Sequence, residues 1–126
     1  MDMSFSYKPV LLKAMLDHVD ENGRVRVEDM VDYFIGFYSE RKEKGLFIEK
    51  KSSIFCKEDF TRKEVERNIF ANPFKRFEDM RFMKRCREIE FVEFNRYVFK
   101  KLTKEDIEWI RAHCDRKLDE YYGRQK

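Results

Sequence analysis

Residues 61 to 94 change their hydrophobic period from helical to alternating, across a proline and through a run of cations, and that order restricts the folds open to the chain. Thr61-Arg62-Lys63-Glu64 is a capping box: the threonine hydroxyl can accept from the Glu64 amide while the Glu64 carboxylate returns to the Thr61 amide. A helix starts here, with Val65, Ile69 and Phe70 on its buried side and Arg62, Lys63, Glu66 and Arg67 towards solvent. Asn72-Pro73 interrupts it, because the residue before a proline avoids the α region. The next turn, NPFKRFEDM, is predicted as a short helix capped by Asn72, with Phe74, Phe77 and Met80 buried and Lys75 and Arg76 outside. Beyond Arg81, the apolar arm Phe82-Met83 leads into a polar tip, Lys84-Arg85-Cys86-Arg87, and then a run in which Ile89 and Phe91 alternate with Glu88 and Glu90. Two such arms around a polar tip predict a β-hairpin, although the tip lacks the Asn-Gly or Asp-Gly of the tightest turns.

The flanking segments supply further helices. In YKPVLLKAMLDHVDENG, Val10, Leu11, Ala14, Met15, His18 and Val19 fall on one face, with Leu12 and Leu16 beside them. Pro9 suits the first turn, Ser6 is a candidate cap, and Asn22-Gly23 is a stop. Arg24-Val25-Arg26 is long enough for one strand. A second helix follows, with Val27, Met30, Val31, Phe34, Phe37 and Tyr38 buried, acids at its start and cations before Gly45, in keeping with the helix dipole. Residues 46 to 60 show no sustained period and read as a loop anchored by Leu46, Phe47, Ile54, Phe55 and Phe60. Loops longer than about 12 residues are uncommon in compact domains, so this one is expected either to bind something or to hold a short helix or strand. Thr103-Lys104-Glu105-Asp106 starts a last helix, along which Ile107, Ile110, Cys114, Leu118 and Tyr121 form the apolar stripe up to Gly123.

A chain of 126 residues suits a single domain, taken as residues 1 to 126. Its 13 Phe, 6 Tyr and 1 Trp imply a core built on rings. The net charge is only +3, but residues 1 to 60 carry a net of −2 and residues 61 to 126 a net of +5, so a polyanion would meet the second half. Cys56, Cys86 and Cys114 lie far apart with no paired spacing, and His18 and His113 are the only histidines, which argues against a zinc site. The start, MDMSFSYKP, lacks the apolar core of a secretory signal, and no long apolar run follows. These features suit a reduced, cytoplasmic chain, either whole or a piece of something longer.

The order helix, strand, helix, helix, hairpin, helix defines the expected fold: mainly α within the α+β class, a winged helix-turn-helix with a small hairpin wing and an extra C-terminal helix. SYKPVLLKAMLDHVDENGRVRVEDMVDYF, with TRKEVERNIFANPFKRFEDM and the hairpin behind it, resembles winged-helix accessory modules of bacterial DEAD/DEAH-type helicase and restriction/nuclease-type proteins. The resemblance covers roughly residues 5 to 122 and rests on packing and turn residues. It implies a module beside a DNA-processing engine that is itself not encoded in this stretch.

The predicted interface for duplex DNA comprises Arg62, Lys63 and Arg67 on the capped helix, Lys75, Arg76 and Arg81 behind it, and Lys84, Arg85 and Arg87 on the wing. The plainer reading of the same cations is a solvated charged surface. Residues 17 to 32 hold six acids and two arginines, a polarity that suits docking on another domain of a parent protein or on a separate protein partner, with the basic surface meeting an acidic one. The C-terminal helix, with Trp109, Tyr121 and Tyr122, reads as core closure, with a dimer surface as the alternative. No enzyme is expected, and no cofactor, metal or membrane partner. His18 sits near an apolar stripe without ligands around it and is read as a packed residue. His113 and Cys114 point about 100° apart on a helix and cannot readily act as base and nucleophile. Glu49-Lys50-Lys51 matches half of a metal-dependent nuclease motif, but acid-x-lysine patterns recur by chance in so charged a chain and the partner acid is missing.

Overall fold

The computed structural model describes residues 5–86 and 90–125. In chain order the elements are α1 (Tyr7–His18), β1 (Arg24–Arg26), α2 (Val27–Glu43), a single 3-10 turn (Ile54–Cys56), α3 (Arg62–Ala71), α4 (Pro73–Asp79), β2 (Met83–Cys86), β3 (Phe91–Phe94), α5 (Arg96–Lys101) and α6 (Lys104–Gly123). The architecture is mainly helical with one small antiparallel sheet, as the α+β expectation requires. Among the described residues no helix is long and apolar enough to cross a membrane.

Both expected capping boxes form. Thr61 and Glu64 exchange hydrogen bonds at the start of α3, and Thr103 and Asp106 do so at the start of α6. Pro73 opens α4 at the position where its missing N–H costs least, so the predicted break between α3 and α4 is real. The sheet order is β1-β3-β2, with Val25 opposite Val92 and Met83 opposite Phe94. Alternation puts Val25, Val92, Met83 and Phe94 towards the helices, all of them buried. The other face carries a cross-strand row in which Glu93 lies between Arg24 at 3.3 Å and Lys84 at 3.0 Å. Glu93 is only 4% exposed, and the Lys84 ammonium holds its carboxyl below the usual value, against the opposing effect of burial.

α1 is the central helix. Val10, Leu11, Ala14 and Met15 are fully buried against α2 and its neighbours, and α6 runs antiparallel along its other side. The α1–α6 seam is marked at one end by Arg111, which bonds the Leu16 carbonyl and Asp17, then by Lys13 with Asp115 at 2.6 Å, and at the other end by Tyr121 near Ser6. Phe55 fills the space between the helices and the long loop: it stacks on Tyr38 at 4.2 Å and touches Tyr7, Phe34 and Phe60. Burying such a ring contributes about 2–3 kcal/mol.

The same loop delivers Glu49, 3% exposed, into a knot of hydroxyl groups. One carboxyl oxygen accepts from the Ser6 amide at 2.9 Å and from the Ser6 hydroxyl, and the other from the Tyr121 phenol and the Lys50 amide. The Ser6 hydroxyl also meets Tyr38, and Tyr7 meets Ser53, each at 2.6 Å. Burial drives the Tyr7 phenol up to about 12 and raises those of Tyr38 and Tyr121 well above their ordinary value.

Several expectations are corrected here. Ser6 does not cap α1 with its side chain; Glu49 satisfies the amide of Ser6 from 43 residues away, and the serine hydroxyl turns inward to the knot. Asn72 makes no cap either, because its amide group returns to Asn68. Met80 is 55% exposed, since α4 ends at Asp79 and the chain turns outward. Leu46 and Phe47 are exposed rather than anchoring, while Ile54, Phe55 and Phe60 do pack on the core. His18 is exposed and offers its ring to the edge of Tyr33. Lys84, Arg85 and Cys86 are not the hairpin tip but strand β2, paired with Glu93, Val92 and Phe91. The expected tip residue Arg87, and Glu88 and Ile89 of the expected second arm, lie outside the described residues; Glu90, expected in that arm, is in a turn with φ of 48°. Finally, α5 was not foreseen. It caps on Asn95, stacks Phe99 on Phe94 at 5.8 Å, and lays that ring against Gly23, where φ is 80° and an added Cβ would stand 3.0 Å from it.

Two outcomes follow for stability. Glu49→Ala leaves the Ser6 amide and the Tyr121 phenol buried without their acceptor and should cost about 3 kcal/mol in urea unfolding. In a double-mutant cycle its effect should be clearly non-additive with Tyr121→Phe; additivity would show that the knot is incidental. Glu93 has its carboxyl value lowered by folding, so it adds stability above its unfolded-state value that is lost as pH falls through the folded one. Glu93→Gln should therefore cost about 1–2 kcal/mol at neutral pH and nothing in strong acid. An equal deficit at both pH values would refute that assignment.

Candidate nucleic-acid interface

The basic residues singled out in the sequence divide into three places. On α3, Lys63, Glu66, Arg67 and Phe70 recur at three- and four-residue spacing and share one stripe. The hairpin is fastened to this stripe by Arg85, whose guanidinium lies 3.9 Å from the centre of the Phe70 ring and 3.6 Å from Glu66. Arg85 is thus the link that sets β2 beside α3, its guanidinium lying over an aromatic face and also meeting a carboxylate. Lys63 and Arg67 are exposed and make no ion pair among the described residues. Arg62 turns to the other side, to Asp32 at 2.5 Å and the Glu28 carbonyl, so it ties α3 to the start of α2.

The second place is the outer side of α4. Lys75 pairs with Asp79 at 3.4 Å, and both Lys75 and Arg76 line a groove of about 730 Å³ shared with Phe5, Lys8, Asn72 and Met80. This groove lies between α4 and the start of α1, and no described hairpin residue lines it. Lys84, on the sheet's outer face, is held by Glu93.

The third place is the base of the hairpin. Arg81 ends α4 in the left-handed region, φ 62°, with its amide bonded to the Glu78 carbonyl and the Phe82 amide to that of Phe77. This is the helix-ending motif whose left-handed position is usually glycine. Asn95 then bonds the Arg81 and Phe82 carbonyls, so α5 begins beside Arg81. α5 carries Arg96, Lys100 and Lys101 on its exposed side, none of them in an ion pair among the described residues. These three were not among the residues expected from sequence. The signal was present: residues 95 to 104, NRYVFKKLTK, hold four cations and no acid.

Acids intrude on the α3 face. A shallower recess of about 380 Å³, between the start of α2, α3 and the hairpin turn, is lined by Glu28, Glu66 and Glu90 as well as Arg62 and Lys63. Among the described residues no group of His, Cys, Asp and Glu is arranged to hold a metal ion. Cys114 is fully buried, and burial pushes its thiol up to about 11, the reverse of an activated nucleophile.

Compared with known protein families, curated protein sequences and solved structures, the chain matches none.

Proposed function

We propose that this chain is a winged-helix domain that binds duplex DNA without catalysing a reaction, as an accessory module of a larger DNA-processing protein. The reading is supported first by connectivity. A strand after the first helix pairs with the second arm of the hairpin, and the hairpin follows α3 and α4, an order that favours a winged helix. The observation that carries the functional part is the placement of Lys63 and Arg67 on the α3 stripe to which Arg85 fastens the hairpin. A helix lowered into a groove by that face would bring the hairpin to the adjoining phosphates.

Glu28, Glu66 and Glu90 around the recess favour a second reading, in which this face docks on another protein domain with mixed charge. The two readings separate in solution. Duplex binding should weaken steeply with salt, and Lys63→Gln with Arg67→Gln should lower affinity about tenfold at moderate salt and reduce the salt slope by about 2. These exposed positions leave the fold intact, unlike Arg85, which holds the hairpin. Absence of duplex binding at low salt, or an unchanged slope in the double variant, would reject the DNA reading and leave the protein-docking one.

A further inference from the structure

The corner where the hairpin meets α5 presents two exposed rings among exposed cations. Tyr97 is 80% exposed and Phe82 42% exposed, at a place where a soluble chain gains nothing by presenting rings to water. Asn95 holds the two segments together: its amide bonds the Phe82 carbonyl at 2.7 Å, its side chain bonds the Arg81 carbonyl at 2.9 Å, and its side-chain oxygen accepts from the Tyr97 amide at 2.9 Å. Arg81 directly precedes Phe82 and Arg96 directly precedes Tyr97, and Lys100 and Lys101 follow on α5; all four are exposed. On α5 the lysines sit three and four residues beyond Tyr97, one helical turn on and on the same side of the helix. The inward side of α5 is occupied by Phe99 against Phe94 and Gly23, so Tyr97 does not serve the core.

Arg81 supplies an independent observation. It occupies a left-handed position at which glycine is the unstrained choice, held there by the helix-ending hydrogen bonds and by Asn95, and its side chain makes no ion pair among the described residues. Strain held at an exposed cation beside exposed rings points to a role in binding.

We propose that Phe82 and Tyr97, with Arg81, Arg96, Lys100 and Lys101, form a stacking platform for an unpaired single strand of nucleic acid. Flat rings take bases of any identity on their faces, while the neighbouring cations meet the phosphates. A membrane surface suits the corner less well, because the rings are few and set among cations rather than joined in an apolar face. The platform lies at the base of the hairpin, at the opposite end of β2 from the turn. It does not depend on α3 binding duplex DNA.

The test uses the full chain and a labelled oligothymidylate of about 12 nucleotides, within the site sizes single-strand binders cover. Wild-type protein should bind it in a salt-dependent way. Tyr97→Ala should weaken binding by about 10-fold or more, Tyr97→Trp should preserve it, and Tyr97→Leu should behave as alanine. Arg81→Gly should raise the urea midpoint while weakening oligonucleotide binding, a combination that a structural role would not give. Duplex affinity should be unmoved by Tyr97→Ala. Equal binding by wild type, Tyr97→Ala and Phe82→Ala would overturn the proposal, as would no binding at low salt. Tyr97-dependent binding to phosphatidylserine vesicles without Tyr97-dependent binding to the oligonucleotide would also overturn it, in favour of a membrane surface.

Discussion

The structure depends on one buried carboxyl group. Glu49 arrives from the long loop and meets the start of α1 through Ser6, the end of α6 through Tyr121 and, by way of the Ser6 hydroxyl, Tyr38 of α2. Two helix ends thus meet on the carboxyl of one loop residue, with α2 joined through the serine hydroxyl. An acid inside a protein is tolerated only where donors replace the water it has lost, and here backbone amides and hydroxyl groups supply that replacement. The start of a helix is a favourable place for it, because free amides point outward there. Phe55 packs beside the knot, so the polar fastening and the aromatic core hold the same loop. The length of that loop is explained by what it carries inward.

Charge on the surface is divided between fastening and display. Arg62, Arg85, Lys84 and Arg111 are spent on joining elements, each reaching a carboxylate on another part of the fold. Lys63, Arg67, Arg81, Arg96, Lys100 and Lys101 are exposed without ion pairs among the described residues. A count of basic residues cannot separate these two uses; partner distances can. Lys84 and Arg85 of the hairpin, which looked free in sequence, are each held by a carboxylate.

What the sequence revealed and what it hid have a common cause. Local patterns were legible: the boxes at Thr61 and Thr103, the break at Pro73 and the apolar stripes of α1, α2 and α6 all rest on interactions within a few residues. Features settled across the fold were not. Ser6 has the chemistry of a cap, yet a carboxyl group 43 residues away takes its place. The hairpin was placed too early because Lys84 and Arg85 are polar, whereas a strand at a sheet edge accepts polar residues readily. α5 is only six residues long, too short to show a period, and it is fixed by Asn95 and by Phe99 packing on Phe94. Glu49 looked like half a chance motif, because nothing in its neighbours announces burial.

Strand β2 has a partner on one side only. Its free edge could accept a strand from another molecule, the route by which small sheets grow into aggregates. Lys84 and Arg85 stand on that edge strand and keep such an approach unfavourable while the hairpin is folded. Removing these charges would therefore do more than alter a binding surface. It would unguard the sheet, and molecules stripped of them would tend to adhere to one another before any ligand was added.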